Sequence, residues 1–221
     1  MTTLWRAGGI AAWLAAFALA ASPARAALSP FSGFWQLQSR KEASAPQLKP
    51  EAEKLRATYV RDGSALVDEL KWCISQGLPF VMEQAGPIDI IFAPHEVAVF
   101  ADKTAFQRHL YLGTKTRPDP NTYDPTSVGH TLAELKGNTL TAETIGLSDG
   151  VGPVGIPRTT AARLVETFTV SGDRLTVQST WTDDSVLRAP YRYTVVYKRL
   201  PRDYRAPESY CDPRKNGVGV P

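Results

Sequence analysis

The residues best suited to acid–base chemistry are a histidine and a glutamate on either side of a predicted turn. His130 stands in Gly129-His130-Thr131, and Glu143 follows the turn signal Gly137-Asn138. If the flanking segments pair across that turn, Ile145 faces His130, and Glu143 lies diagonal to the histidine. A histidine titrates near neutral pH, so His130 could act as a general acid or base that Glu143 orients. The alternative is a histidine that bonds only to backbone at the start of a strand.

A second set of residues is suited to binding. Aromatic and arginine side chains recur in predicted strands, and strand alternation places several of them on one inward face. Around a hollow they would line an apolar pocket for a small apolar or aromatic molecule, with arginine holding an anionic group or polarising a substrate. The alternative is an ordinary aromatic core with arginines in solvent. The predicted ligand-binding residues are Trp35, Arg108, Tyr111, Arg163, Trp181 and Tyr193.

Motifs for metals, phosphates and redox cofactors are missing from the sequence. His95, His109 and His130 do not have the spacing of a zinc site. The chain has no P-loop, no dinucleotide-binding glycine pattern, no G-x-S-x-G and no H-E-x-x-H. We therefore expect no metal and no cofactor.

The elements that would position these residues are short strands joined by polar turns. The predicted strands cover residues 88–92, 97–100, 106–112, 130–136, 139–145, 163–170, 174–183 and 191–200. The first two are short apolar runs, 106–112 and 191–200 alternate with period two, and the other four flank turn signals. No long helix separates the strands, so the pattern predicts a mainly β protein. We expect an antiparallel up-and-down meander closed into a barrel of about eight strands. An open curled sheet or a two-sheet sandwich is the alternative.

A short helical region precedes the strands, and two long loops interrupt them. Pro50, Glu51 and Glu53 favour a helix start, so residues 50–60 are predicted helical, with a second short helix over 64–71. The connections 113–129 and 146–160 both adjoin the His130 hairpin, where they would form one rim of the barrel.

The N-terminus carries the features of an export signal. Arg6 precedes an apolar run, and Ala24-Arg25-Ala26 provides a cleavage site, so residues 1–26 predict a signal peptide; the alternative is an uncleaved anchor. Without them the formal net charge falls from +3 to +1, which argues against nucleic acid as a partner. No later segment predicts a membrane span. We expect a periplasmic or secreted protein.

The rest of the chain fits one domain. It divides into an N-terminal segment with short helices (27–86), a β-barrel (87–213) and a disordered tail (214–221). Two cysteines in an oxidising compartment predict a disulfide between Cys73 and Cys211, with two buried thiols as the alternative.

Several of these segments resemble lipocalin-like proteins. Ser32-Gly33-Phe34-Trp35 is similar to the G-x-W first strand of lipocalins and other calycins. Residues 48–211 resemble a group of uncharacterised secreted bacterial lipocalin-like barrels with a G-H-S…W-E-G-D-T-L-V-V-D-T hairpin. The matching segments are Cys73 to Pro79, Arg108 to Leu112, Gly129-His130-Thr131, Gly137 to Thr144, Val165 to Phe168 and Cys211. The group's second histidine is Arg163 here, so the resemblance implies the fold and export more strongly than any reaction.

Three functions follow from these patterns. The first is a secreted lipocalin-like protein that binds a small, largely apolar molecule in the barrel. The second is a cofactor-independent lyase, isomerase or hydrolase that uses His130 as acid or base. The third is an envelope protein with a filled core that works through partners.

Overall fold

The computed structural model of the chain describes residues 29–62, 76–83, 86–101, 106–113, 124–207, 212 and 215. The predicted signal peptide, the predicted helix 64–71 and most of the tail lie outside the described residues. So do Cys73 and Cys211, and their disulfide therefore stays a prediction.

One α-helix, two short 3-10 helices (Phe80–Met82 and Pro153–Gly155) and eleven strands make up the described secondary structure. The helix, α1, covers Pro50–Asp62. The strands, in chain order, are β1 (Gly33–Glu42), β2 (Ile88–Phe92), β3 (Glu96–Ala101), β4 (Phe106–Leu112), β5 (His130–Lys136), β6 (Thr139–Ile145), β7 (Gly150–Val151), β8 (Pro157–Arg158), β9 (Arg163–Ser171), β10 (Arg174–Thr182) and β11 (Tyr191–Arg199). All eight predicted strands are present, and the predicted helix 50–60 is confirmed.

Nine of the strands form a closed barrel in the order β1-β11-β10-β9-β6-β5-β4-β3-β2. Strand directions cannot alternate all the way round a ring with an odd number of members, so at least one neighbouring pair must be parallel. That pair is β4–β5, where Leu110 lies opposite Thr131. The predicted mainly β barrel is confirmed, with nine strands instead of about eight and one parallel pair in the meander.

The ninth strand is β1, which closes the ring by pairing with both β11 and β2. The barrel therefore begins at Gly33, inside the segment that the sequence analysis assigned to an N-terminal region ahead of residue 87. A bulge at Leu37/Ser39 shifts the alternation of β1. As a result, Arg40 lies opposite buried Val195 and faces the interior.

Alternation places one face of each long strand inside the barrel. In β11 the buried residues are Tyr191, Tyr193, Val195 and Tyr197, as the sequence pattern predicts. Two tight hairpins fix the registers of β5–β6 and β9–β10. Their first turn residues, Gly137 and Gly172, have φ of 59° and 57°, a conformation that glycine adopts without steric cost.

One end of the barrel, which we call the upper end, carries the loops around His130. Thr126, in the connection before β5, bridges to Leu147 in the connection after β6. The two long loops therefore meet at one rim, as predicted. Residues 78–83, which we call the closing segment, enter the interior from this end, and Leu78, Val81 and Met82 are buried. Its Leu78 N–H donates to Ser127 O (2.9 Å), its Leu78 carbonyl accepts from Arg158 Nη1 (2.7 Å), and its Met82 carbonyl accepts from the Tyr197 hydroxyl.

The opposite, lower end is sealed by aromatic and arginine side chains. Trp35 is fully buried, and its Nε1–H donates to Phe31 O at 2.7 Å. The Arg199 guanidinium lies 4.0 Å from the centre of the Trp35 ring and donates to Ser32 O at 2.7 Å.

Within the described part of the chain, no helix is long and apolar enough to cross a membrane.

Candidate functional site

The interior of the barrel contains a buried charge pair. Arg108 points inward from β4 and is 1% exposed, and Glu166 points inward from β9 and is 2% exposed. Arg108 Nη2 donates to Glu166 Oε2 at 2.5 Å and to Thr144 Oγ1 at 2.9 Å. Thr144 in turn shares a hydrogen bond of 2.8 Å with Thr131. Four strands thus contribute to one polar network inside the barrel.

The network leaves hydrogen-bonding capacity unused. Arg108 Nε and Nη1 are buried, and neither has a hydrogen-bond partner among the described residues. Between them these nitrogens carry three N–H groups, and arginine cannot lose its charge to escape the cost of burying them. Trp181 Nε1, also inside the barrel, has no partner among the described residues either. Buried donors are nearly always bonded, so these nitrogens lack acceptors that the described residues do not supply.

A second charge pair lies where the closing segment meets β1. Glu83, the last residue of the closing segment, has Oε2 2.8 Å from Arg40 Nε. Arg40 also donates to Glu42 Oε1 at 2.6 Å and to the Tyr191 hydroxyl at 3.0 Å. Burial raises the pKa of Glu83 to about 7, against the opposing effect of Arg40, and the charge of Glu166 contributes to the increase. The two buried carboxylates therefore act on each other.

Two tyrosine hydroxyls report the electrostatics of the interior. Burial raises the pKa of Tyr193 well above its usual value, and the next contributions are the charges of Glu83 and Glu166. The pKa of Tyr197 is raised by the same three causes, and Arg108 only partly offsets them. Burial is thus the main cause at both hydroxyls, and the charges of the two carboxylates add to it.

The structure separates the predicted ligand-binding residues into two groups. Trp35, Arg108, Trp181 and Tyr193 are buried in the barrel. Tyr111 is 45% exposed and lies on the opposite face of β4 from Arg108. The Arg163 side chain is 51% exposed, and its Nε donates to the Glu143 carboxylate. Tyr111 and Arg163 are thus placed on the outer wall, away from the interior network.

The predicted pairing around His130 is confirmed, since His130 lies opposite Ile145 and Leu132 opposite Glu143. Thr131 and Thr144, the neighbours of these two residues, face inward. His130 and Glu143 therefore share the outer face of the wall, beside Arg163. The acid–base role of this pair stays a prediction.

Three charged residues of the interior were not predicted from the sequence: Glu166, Glu83 and Arg40. Glu166 has a sequence signal, because it stands between Leu164 and Phe168 on the apolar face of a strand. Glu83 lies in a segment without periodicity, and a bulge determines the direction of Arg40. Neither of these two has a pattern that would indicate an inward side chain.

A groove lies outside the barrel wall, beside β1 and β11, with a volume of about 930 Å³. Its charged residues include Lys198, Arg199, Arg202 and Asp173. Arg199 is engaged there in sealing the lower end. In the described ranges, no three His, Cys, Asp or Glu residues cluster so as to hold a metal ion.

Comparisons with known proteins give distant structural likenesses. The zebrafish ileal bile acid-binding protein, in complex with cholic acid, is 12% identical, with a TM-score of 0.40, over 78% of this chain and all of that one. The fatty-acid-binding protein of Manduca sexta is 11% identical, with a TM-score of 0.39, over 77% and 99% of the two chains. An abundant heat-soluble protein of Ramazzottius varieornatus is 10% identical, with a TM-score of 0.38, over 78% and 96%. No known protein family and no curated protein matches the sequence.

Proposed function

We propose that this chain is an exported binding protein that holds a small, largely apolar molecule inside the barrel, with an acceptor group of that molecule on Arg108. The supporting observation is the buried guanidinium of Arg108, whose Nε and Nη1 have no partner among the described residues. Each such donor costs roughly 1–3 kcal/mol when buried unbonded. A bound molecule that supplies acceptors removes that cost.

The apolar character of the proposed guest follows from the surroundings of Arg108. Buried side chains of the interior include Trp181, Phe168, Leu110 and Val99, and Val99 lies directly opposite Arg108 in the β3–β4 register. Pockets of this kind fix the orientation of a ligand with a few polar groups and enclose the rest in hydrophobic surface. The body of the guest would be aliphatic or aromatic.

A guest would reach this site through the upper end, past the closing segment. Leu78, Val81 and Met82 are buried there, and side chains from β8 and β11 hold their backbone. Binding therefore requires this segment to move, which makes association slower than docking onto an open cleft. Export rests on the signal-like residues 1–26, and with it the proposed disulfide between Cys73 and Cys211.

The proposal is tested by the molecules that remain with the protein during purification from its own host. Native mass spectrometry followed by organic extraction should detect a small molecule on the wild type. Arg108→Met should lose most of it, whereas Arg192→Met, which alters an exposed arginine of β11, should retain it. An empty wild-type protein that also fails to bind added apolar carbonyl compounds would contradict the proposal.

A further inference from the structure

The charge balance around Arg108 indicates which class of guest the interior accepts. Glu166 lies 2.5 Å from Arg108, and both side chains are almost entirely buried. The single positive charge of the guanidinium is therefore already neutralised before any guest arrives. Its remaining N–H groups can donate hydrogen bonds, but the site holds no unbalanced positive charge.

A second carboxylate makes the interior still less favourable to anions. Glu83 is near enough to Glu166 for each charge to affect the other, and its own partner, Arg40, is shared with Glu42 and Tyr191. An additional negative group would be buried among two carboxylates and two arginines, where its charge has no free partner. Burying an uncompensated charge costs far more than burying a neutral group that is hydrogen-bonded.

A neutral acceptor fits the same position. Arginine has only donors, so the partner of Nε and Nη1 must offer lone pairs. The carbonyl oxygen of an ester, ketone or amide does so without adding charge. Trp181 Nε1, a further buried donor without a partner in the described chain, requires the same kind of atom.

We infer that the barrel selects uncharged carbonyl compounds over free carboxylic acids. Glu166 sets this preference, because its carboxylate neutralises the positive charge of Arg108. The inference rests on the proposed function, since it names the chemical class bound at the same site. Glu166 thus acts as a specificity determinant as well as a structural partner of Arg108.

The test compares two probes that differ in one group, methyl decanoate and decanoate. Binding to the full chain is measured by isothermal titration at a pH of about 8, where decanoate is ionised. The wild type should bind the ester at least about tenfold more tightly. Glu166→Gln frees the charge of Arg108, so the ratio of the two dissociation constants should fall about tenfold or reverse. Glu134→Gln, an exposed carboxylate of β5, should leave the ratio unchanged.

Two further variants keep the test decisive if Glu166→Gln does not fold, which circular dichroism would show. Glu83→Gln removes the second carboxylate and should move the ratio in the same direction by a smaller factor. Arg108→Met removes the donors and should weaken ester binding about tenfold. The inference is overturned if the wild type binds decanoate as tightly as the ester, or if no carboxylate variant changes the ratio; binding itself then still stands. If the wild type binds neither probe, both the inference and the proposed function fall.

Discussion

Arg108 and Glu166 form a buried ion pair, and removing only one of the two residues should destabilise the protein. Taking both charges out of water is costly, and their mutual attraction repays that cost only while both are present. The pair is held at 2.5 Å within the described interior network. Removing one of the two charges should therefore cost more folding stability than removing both.

A double-mutant cycle measures this dependence. Arg108→Met alone should lower the free energy of unfolding by about 3–5 kcal/mol, because Glu166 is left buried without a counter-charge. Arg108→Met combined with Glu166→Gln should recover a substantial part of that loss, since no charge then remains. Urea denaturation of the wild type, both single variants and the double variant gives the coupling energy. Additive losses would mean that the two side chains do not interact.

Glu83 gives a second prediction at the scale of one residue, through the pH dependence of stability. Its pKa rises from 4.5 in the unfolded chain to about 7 in the folded protein. The folded state therefore holds this proton more tightly, and its contribution to stability, complete below a pH of about 4.5, is lost as pH rises toward 7. The Glu83→Gln variant should be more stable than the wild type at a pH of about 8, by up to about 3 kcal/mol.

That advantage should disappear at a pH of about 4, where Glu83 of the wild type is protonated as well. Glu134→Gln, at an exposed site, should show no comparable pH dependence. Thermal unfolding of the wild type and both variants across this pH range checks the sign of the stability difference. A Glu83→Gln advantage that grew toward low pH would contradict the assignment.

Whether a side chain could be placed from the sequence depends on what determines its orientation in the structure. Arg108, Tyr193 and Trp181 belong to regular strands, where a single known inward neighbour fixes every second side chain. The same alternation places Tyr111 on the outer wall, because it is next to inward-facing Leu110. Arg40 follows a bulge and Glu83 lies in a turn, so local pattern could not orient either one.

The closing segment, residues 78–83, is the element on which access to the interior depends. It is held at one end by the contact of Leu78 with Ser127 and Arg158. At the other end the Tyr197 hydroxyl donates to Met82, and Arg40 pairs with Glu83. Gly77 packs so closely before it that an added Cβ would lie 2.0 Å from the Ser127 carbonyl oxygen. The Ser127 end therefore packs directly against backbone, and the other end is attached through side chains, by the Tyr197 hydroxyl on the Met82 carbonyl and by the Arg40–Glu83 ion pair.

Tyr197→Phe should loosen the Met82 end, which then keeps only the Arg40–Glu83 ion pair, without changing the shape of the core. A buried carbonyl would lose its donor, at a cost of about 1–2 kcal/mol. We expect faster amide hydrogen exchange in residues 78–83, with little change in β9 and β10, and faster association of methyl decanoate. Tyr111→Phe is the control, because the Tyr111 side chain is exposed on the outer wall. Equal exchange rates in the two variants would contradict this role.

At the scale of the whole molecule, the sequence predicts the strands well and their arrangement only in part. Short turns such as Gly137-Asn138 specify which strands are neighbours, since two residues allow no other connection. The pairing of β1 with β11 joins residues far apart in the chain and has no local signal. The same holds for the parallel β4–β5 contact, which follows from closing a ring of nine strands. Sequence patterns therefore reveal the barrel but not its number of strands.

In the proposed complex, a small molecule binds inside this barrel with an acceptor on Arg108. The side-chain Nε–H resonance of Arg108 in ¹⁵N-labelled protein tests it most directly, once assigned by its disappearance in Arg108→Met. Adding methyl decanoate should shift this resonance in proportion to occupancy and leave that of exposed Arg192 unchanged. Saturable binding that leaves the Arg108 resonance where it was, and shifts only residues of the outer wall, would contradict the account.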